Sequence, residues 1–325
     1  MQSVRIRFRT WIKRMLIALV VLFAIFFLVI VPYGISYLIT HARTRPADRR
    51  LTESPADYRI PYRDIWLQAP AAPGDSSNRI PIHAWYMPHE DPRAVIVYAH
   101  GLFRSRHEML ERAAWLWQHG FAGVLMDLRR HGESSGEISG LGFLERLDVE
   151  TAVHYVRNRL NWQGPVVAFG VSMGAAAVLL AAAETPDIDI VIVDSPFLSF
   201  ENTIAHHLKL VLGLPRFPIG DLIMLYTRRR IGFETDEFDL QKAVRQLNDR
   251  PILFIAGTAD RRMPVAMQRR LYEQAATRYK TFITIPDATH GAAFRTHRDM
   301  YEQAALQFLN DALKRVSRHS GAAGP

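Results

Sequence analysis

One short motif constrains the fold of this chain more than any other feature. The sequence GVSMG occupies residues 170–174, directly after the apolar run PVVAF and directly before an alanine-rich run. An apolar run of strand type followed by a run of helical type predicts a tight strand-to-helix turn, the context that a G-x-S-x-G motif requires. Gly170 and Gly174 lack the Cβ atoms that would clash in such a turn. The turn would present the Ser172 hydroxyl at a helix amino terminus, where the helix dipole favours negative charge.

Strand-like and helix-like segments alternate along the chain on both sides of this motif. Two extended stretches, residues 62–68 and 80–87, come first and resemble a hairpin, and buried strands then alternate with helices. This order predicts an α/β fold whose central sheet is mostly parallel and covered by helices on both faces. Residues 197–248 interrupt the alternation, and we interpret them as an inserted helical lid. The predicted strands are 94–99, 121–126, 165–169, 188–193, 251–256 and 281–285, and the predicted helices are 107–119, 143–160, 173–184, 264–276 and 294–316.

The amino-terminal part of the chain contains a long uncharged segment. No charged residue lies between Met15 and Ile39. At 1.5 Å per residue this run extends about 37 Å, more than the roughly 30 Å hydrocarbon core of a bilayer. A buried helix rarely stays apolar for so long, and the run is not followed by the small-residue pattern of a signal-peptide cleavage site. We therefore predict one uncleaved transmembrane helix over residues 15–39, with a basic segment at 1–14 and a polar tether at 40–60.

The net charge of +8 is concentrated at the amino terminus. Residues 1–50 contain nine basic residues and one acid, Asp48, so residues 51–325 are formally neutral. A protein that binds nucleic acid carries its basic charge on the folded domain, and we therefore expect no nucleic-acid partner. Five basic residues precede the apolar run and four follow it, so the positive-inside rule narrowly favours an extracytoplasmic domain. The absence of cysteine agrees with an oxidising compartment and excludes disulfides and thiolate metal sites.

Two side chains are candidates to activate the serine of the motif. A serine hydroxyl becomes a good nucleophile only when a neighbouring base takes its proton, and the base needs a carboxylate that fixes its tautomer. His290 lies in the loop after the last predicted strand, where the carboxyl ends of parallel strands share one edge of the sheet. Asp260, in the loop after the preceding strand, gives the chain order Ser172, Asp260, His290. Asp194, at the end of the strand before that, is the alternative acid.

Acyl transfer through this serine also needs two N–H donors for the negative oxygen of the tetrahedral intermediate. The backbone N–H of Met173 directly follows the nucleophile, and the backbone N–H of Leu102 lies in the His-Gly loop after the first parallel strand. We expect these two groups to form the oxyanion hole. His100 in that loop is then a hydrogen-bonded support rather than a base. This chemistry requires no metal ion and no organic cofactor, and we predict none.

Six motifs spread over residues 94–291 resemble those of the α/β-hydrolase superfamily, and in particular its membrane-anchored branch of α/β-hydrolase-domain-containing proteins. The resemblance implies an α/β-hydrolase fold and a structural role for His131. We predict that the hydrolase domain occupies residues 61–317 and that residues 318–325 form a flexible tail. One position departs from the family pattern R-G-H-G, since Arg130 stands at the glycine. Either the loop avoids the backbone angles that only glycine favours, or Arg130 is strained. The motifs are HG at 100–101, DLRRHGES at 127–134, GVSMG at 170–174, DSP at 194–196, GTAD at 257–260 with Pro264, and DATH at 287–290.

These features together predict a serine hydrolase on a single-pass membrane anchor. The expected substrates are carboxylic esters, including lipid-derived ones, because the anchor keeps the site close to a bilayer. An amidase or peptidase uses the same triad and stays open as an alternative. A catalytically idle membrane-anchored binding protein stays open as well, because a fold does not guarantee activity. A haloalkane dehalogenase would carry an aspartate at position 172, and a transporter would need more than one spanning segment.

Overall fold

The computed structural model describes residues 2–234 and 237–321, which contain one eight-stranded sheet. Its strands are β1 (Arg63–Pro70), β2 (Arg79–Met87), β3 (Ala94–Ala99), β4 (Phe121–Met126), β5 (Val166–Val171), β6 (Ile190–Asp194), β7 (Ile252–Gly257) and β8 (Lys280–Ile285). They lie in the order β1-β2-β4-β3-β5-β6-β7-β8. Strand β2 is antiparallel to β1 and β4, and all other neighbours are parallel. The predicted hairpin and the mostly parallel sheet are therefore confirmed.

The described residues form eleven α-helices. They are α1 (Gln2–Ile25), α2 (Val31–Thr40), α3 (His107–Gln118), α4 (Glu145–His154), α5 (Met173–Glu184), α6 (Phe200–His207), α7 (Ile219–Ile231), α8 (Leu240–Gln246), α9 (Val265–Gln274), α10 (Ala293–Thr296) and α11 (Arg298–Gly321). One hydrophobic core lies between the sheet and α4, α5, α8 and α9, and a second lies between the sheet and α3, α10 and α11. Every residue of β3, β4 and β5 is buried between these layers, which explains their continuous apolar sequences.

The amino-terminal helix is long, apolar and mostly uncovered. Helix α1, a π-helical turn at Phe26–Ile30 and α2 follow one another without a break. Within Arg7–Thr40 an apolar 18-residue window has a mean hydropathy of 3.2, and 6% of it is buried. A core helix would be mostly buried, so the structure excludes that interpretation, while length and composition are sufficient to cross a membrane. The helix begins at Gln2, so the predicted basic segment 1–14 is largely part of it.

The inserted region 197–248 is helical, as predicted, and it packs against the amino-terminal helix. It contains α6, a π-helical turn at Leu208–Leu212, α7 and α8. Helix α7 lies along α2, and polar groups between them are paired. The hydroxyl of Thr227 and the guanidinium of Arg230 both donate to Ser36 Oγ, at 3.0 and 2.7 Å. The lid and the end of the amino-terminal helix therefore form one packed unit.

Part of the segment predicted as a tether is fixed to the fold. Thr44 is buried, and its Oγ1 accepts the Gly132 N–H at 2.6 Å and donates to the Arg104 carbonyl oxygen at 2.8 Å. Asp48 forms a 2.9 Å salt bridge with Arg104. Thr44 and Asp48 thus pair with distant polar groups of the domain, while six of the ten residues 41–50 are exposed. Part of the predicted tether at 40–60 is thus bound to the folded domain, and its bounds stay a prediction.

The carboxyl-terminal part is more helical than predicted. The predicted helix 294–316 corresponds to α10 and α11, which are separated at His297. Helix α11 continues to Gly321, past the start of the predicted tail. Residues 322–325 of that tail lie outside the described residues, and the boundary of 61–317 for the domain stays a prediction.

Candidate active site

The turn after β5 holds Ser172 in a strained backbone conformation. Ser172 has φ 54° and ψ −111°, a backbone conformation that residues other than glycine rarely adopt. A Cβ on Gly170 would lie 2.2 Å from the Gly174 carbonyl oxygen, and a Cβ on Gly174 would lie 2.2 Å from the Ala99 carbonyl oxygen. The backbone can make this turn only with both glycines in place. The predicted elbow is therefore a real structural feature, and Ser172 stands directly before the first residue of α5.

Three of the predicted residues lie in one chain of hydrogen bonds. His290 Nε2 is 2.8 Å from Ser172 Oγ, and His290 Nδ1 is 2.8 Å from Asp260 Oδ2. The carboxylate can only accept, so Nδ1 carries the proton and the lone pair of Nε2 faces the serine hydroxyl. Asp260 is 4% exposed, and its other oxygen accepts the N–H groups of Arg262 and Met263, each at 2.9 Å. The arrangement can move a proton away from Ser172 Oγ.

The two loops that carry the histidine and the carboxylate are locked together. They follow the neighbouring parallel strands β7 and β8, whose carboxyl ends share the sheet edge with β5. A Cβ on Gly257 would lie 2.2 Å from the Ala288 carbonyl oxygen, which also accepts the Ala259 N–H at 3.0 Å. The Asp287 N–H donates to Thr258 Oγ1 at 2.8 Å. These contacts fix the position of the His290 loop beside Asp260.

Asp194, the alternative acid, makes different contacts. It is fully buried at the end of β6, where its carboxylate accepts from Ser195 Oγ at 2.9 Å, Tyr301 Oη at 3.1 Å and Arg112 Nη2 at 3.3 Å. Burial raises the pKa of Asp194 and the Arg112 charge opposes this rise. Ser195 Oγ in turn accepts the Gly291 N–H at 3.3 Å, beside the histidine loop. The structure thus places Asp260 on the histidine and uses Asp194 to brace the neighbouring loop.

The loop after β3 lies beside the serine. A Cβ on Gly101 would lie 3.5 Å from Ser172 Cβ, and Leu102 is the next residue. Met173 is the first residue of α5, so its N–H has no acceptor within the helix. Over the described part of the chain, no hydrogen bond occupies the N–H of Leu102 or of Met173. Both groups are therefore available for an anionic oxygen, and their role in an oxyanion hole stays a prediction.

The two histidines near this loop support it. His100 Nε2 accepts the Leu128 N–H at 3.0 Å, and its Nδ1 donates to the Gly101 carbonyl oxygen at 2.8 Å. His131 Nε2 accepts the Phe103 N–H at 3.3 Å. Burial lowers the pKa of His131 to about 3, so its ring is neutral at physiological pH. Both side chains tie the Leu102 loop to the loop after β4, as the sequence analysis expected.

Arg130 adopts the strained alternative of the two that the sequence left open. Its φ is 66°, in the left-handed region that the glycine of the family pattern would occupy without strain. Its guanidinium donates to the carbonyl oxygens of Gly136 and Glu137. These bonds hold the side chain on its own loop and offset part of the backbone strain.

Sequence reasoning missed the polar groups that position the loop after β3. Glu108 accepts the Gly101 N–H at 2.7 Å and Arg104 Nε at 2.9 Å. Arg104 also pairs with Asp48 of the segment 41–50. Asp48 is the lone acid among the first 50 residues, and that isolation was the one signal of a specific partner. No group of three histidine or carboxylate side chains in the described ranges could hold a metal ion.

Comparisons with known proteins agree with the fold. The family model of the serine aminopeptidases S33 matches residues 90–224. The uncharacterized protein YqkD of Bacillus subtilis is 28% identical over 226 residues, which cover 69% of this chain and 73% of YqkD. The alpha/beta hydrolase domain-containing protein WAV2 of Arabidopsis thaliana is 26% identical over 267 residues, covering 79% of this chain and 81% of WAV2.

Solved structures show the same architecture at low sequence identity. The esterase Pf2001 of Pyrococcus furiosus superposes with a TM-score of 0.67 at 19% identity, covering 83% of this chain and 98% of the esterase. Est1E of Butyrivibrio proteoclasticus, with ferulic acid bound, gives 0.57 at 21% identity, covering 72% of this chain and 96% of Est1E. The family model and these esterases support an enzyme of the hydrolase type. With its sheet order, its strand-to-helix elbow and these solved structures in agreement, the chain has the α/β-hydrolase fold, and its relatives include an alpha/beta hydrolase domain-containing protein.

Proposed function

We propose that the protein is a serine hydrolase that cleaves carboxylic esters through an acyl-enzyme. One observation carries the proposal. Ser172 Oγ, the His290 ring and the Asp260 carboxylate form a continuous relay whose two hydrogen bonds both measure 2.8 Å. This distance is within the reach that general-base catalysis requires, and the tautomer that the carboxylate imposes is the one that can accept the serine proton.

The proposed reaction has two halves that use the same groups. Ser172 Oγ attacks the ester carbonyl carbon while His290 Nε2 takes the hydroxyl proton, and the N–H groups of Leu102 and Met173 hold the resulting oxyanion. His290 then gives that proton to the leaving alkoxide, so an alcohol departs and the acyl group stays on Ser172. A water molecule next loses a proton to His290 and attacks the acyl carbon, which releases the acid and restores the serine. Asp260 stabilises the imidazolium in both halves.

An ester substrate fits the charge around the site better than a free amino terminus does. The matching family model is named for aminopeptidases, whose substrates carry an ammonium group that a carboxylate can pair with. Glu108, a carboxylate beside Gly101, already accepts from the Gly101 N–H and from Arg104. An incoming ammonium group would have to compete with that arginine. A panel of matched acyl esters, acyl amides and aminoacyl amides compared by kcat/KM tests this preference, and faster cleavage of aminoacyl amides would contradict it.

Labelling with a fluorophosphonate tests the proposed nucleophile. We expect the full chain to be labelled on Ser172, and we expect Ser172→Ala to lose both the label and ester hydrolysis, by on the order of 10⁴-fold to 10⁶-fold in kcat. Ser195→Ala is a matched control, because Ser195 also follows a strand and has a positive φ of 55°, but its hydroxyl donates to Asp194. Labelling that survives in Ser172→Ala would exclude the proposed mechanism.

We infer further that the amino-terminal helix anchors the protein in a membrane, with the hydrolase domain outside the cytoplasm. The helix is apolar and mostly uncovered, five basic residues precede the apolar run whereas four follow it, and the chain has no cysteine. The nearby bilayer makes lipid-derived esters the first substrates to test. Protease added to intact cells or to vesicles of known orientation should digest the domain without lysis. Digestion only after lysis would place the domain in the cytoplasm.

A further inference from the structure

The lid contacts the carboxyl-terminal part of the amino-terminal helix. A small hydrophobic cluster joins Leu208, Ile219 and Ile223 of the lid to the helix residues Phe27, Ile35 and Ile39, so the contact extends from the carboxyl end of the helix back to Phe27. At the other end of α7, the Arg230 guanidinium donates to the Ser36 hydroxyl and lies near the end of α2. Helix α7 therefore runs parallel to α2, and its amino-terminal end points back along the helix toward Phe27. We call residues 208–219, which precede and begin α7, the lid tip.

The length of helix that the lid leaves free is too short to span a bilayer. The charges of Lys13 and Arg14 end the apolar run on one side, so the free stretch extends from Met15 to Phe26. Its 12 residues rise about 18 Å, whereas the hydrocarbon core is roughly 30 Å thick. The remaining depth must come from the part of the helix that begins at Phe27. Since the lid tip packs against that part, the tip reaches hydrocarbon depth wherever the helix spans the membrane.

The outer surface of the lid tip is apolar, as this depth requires. Phe217 is 75% exposed, Val211 is 71% exposed and Leu212 is 50% exposed. The first two are the most exposed large hydrophobic residues that the structure describes beyond residue 50. Other such residues, among them Trp66 and Met300, are scattered singly over the domain, which is ordinary for a soluble surface. Three such residues within 211–217, beside the apolar helix, therefore distinguish the lid tip from the rest of the described domain.

The charged groups at the lid tip are compatible with a headgroup region. Lys209 and Arg216 are exposed and have long stems that can lie along apolar surface while the charge reaches water or phosphate. Arg216 is also paired with Asp221 at 2.7 Å and with Glu201 at 3.5 Å. An interfacial segment of a membrane protein has this composition, with large apolar side chains on one side and basic side chains at its rim.

We propose that the lid tip inserts into the same bilayer that holds the amino-terminal helix, and forms a second membrane contact of the protein. The inference rests on the membrane anchor of the proposed function. It adds that the lid is held by lipid on its outer face and by the helix on its inner face. Helix α6, the first helix of the lid, contacts the loop of the proposed triad acid, because His206 Nε2 is 2.7 Å from the Arg261 carbonyl oxygen. A lipid ester in the membrane would therefore be next to an element that touches the active-site loops.

Depth-dependent fluorescence quenching tests this insertion. The chain has no cysteine, so single-cysteine variants of the full-length protein each carry one environment-sensitive fluorophore. We choose Val211→Cys for the lid tip and Leu22→Cys for the free helix. Glu90→Cys is the matched control, because it is an exposed position before β3, at the sheet edge opposite to the elbow. The proteins are reconstituted in vesicles of phosphatidylcholine and phosphatidylglycerol that contain acyl-chain nitroxide lipids.

We expect the label at position 211 to be quenched by nitroxide lipids to an extent similar to the label at position 22. The label at position 90 should respond only to aqueous iodide. If position 22 is quenched by lipid and position 211 only by iodide, the inference is overturned. If neither position is quenched by lipid, the membrane anchor fails and the inference fails with it. Hydrolysis of a water-soluble ester by the same variants reports separately on the proposed catalytic function, and it verifies that each variant is folded.

Discussion

Two regions of the molecule, the loops that carry Ser172, Asp260 and His290 and the segment 41–50, are held in place by different physical means. The catalytic loops are fixed by close approaches of the backbone, since Gly170, Gly174 and Gly257 each face a carbonyl oxygen where a Cβ would sit. The segment 41–50 is fixed by side-chain hydrogen bonds and an ion pair to the loop after β3. Steric exclusion permits one residue type and leaves a motif in the sequence. Pairing between distant polar residues leaves no motif, because many residue types can donate or accept.

The largest expected effect distinguishes the two acids within the first region. Asp260→Asn keeps the shape of the side chain but stabilises the wrong tautomer of His290, so kcat should fall by about 10⁴-fold with the fold intact. Asp194→Asn weakens a buried pair with Arg112, so it should lower the free energy of unfolding by on the order of 3 kcal/mol. Its kcat, measured on folded protein at low temperature, should change much less. The opposite ranking of the two kcat values would move the triad acid to Asp194.

The next largest effect concerns the pH dependence of the free energy of unfolding. It depends on His131, in the loop after β4, which joins the two regions. Burial lowers the pKa of His131 to about 3 from 6.5. Between pH 3 and pH 6.5 the unfolded chain binds a proton at His131 that the folded chain does not bind. The stability that the buried neutral ring contributes is therefore complete above pH 6.5. It is lost as the pH falls toward 3, by at most about 1.4 kcal/mol per pH unit. The gap between the denaturation midpoints of wild type and His131→Gln should therefore shrink on acidification. A gap that stays constant from pH 7 to pH 4 would argue against a buried neutral imidazole.

A smaller effect probes the segment 41–50. Thr44→Val keeps the volume of the side chain and removes both hydrogen bonds, which leaves the Gly132 N–H without its acceptor. We expect a loss of about 1–3 kcal/mol in the free energy of unfolding. We also expect a lower kcat, because Arg104 is two residues from Leu102, while KM changes little. Thr44→Ser is the control and should restore both values. Wild-type stability and kcat in Thr44→Val would show that the segment does not support the loop.

The smallest expected effect concerns Arg130, which stands where the family pattern has glycine. Arg130 has φ 66°, so Arg130→Gly relieves strain, whereas Arg130→Ala removes the same side chain but keeps the Cβ. The glycine variant should be more stable than the alanine variant by roughly 1 kcal/mol, measured by thermal or denaturant unfolding. Equal stabilities would mean that this turn relaxes at no cost when the side chain is short.

The catalytic edge was predictable from sequence because its determinants are local. Each loop follows a continuous apolar strand, and the motif at 170–174 requires two glycines whose role the structure explains. Predicted boundaries such as 94–99 and 121–126 match the strands residue for residue. The contacts of Thr44, Asp48 and Glu108 were missed because each depends on a partner set by the tertiary fold. The helix start was missed because charged residues, which define the end of an apolar run, do not interrupt a helix.

The packing of Thr44 has a consequence for how the protein would meet its substrate. Between Thr40, at the end of α2, and Thr44 the chain can extend at most about 14 Å, and Thr44 is fastened to the loop beside the serine. If the amino-terminal helix spans a bilayer as proposed, so short an attachment prevents the domain from swinging through the surrounding solution, and Ser172 keeps one height and one orientation relative to that bilayer. Encounters then take place by lateral diffusion in two dimensions. For an ester dissolved in lipid, the turnover rate would follow the number of ester molecules per unit area of membrane, and dilution of the aqueous phase would leave it unchanged.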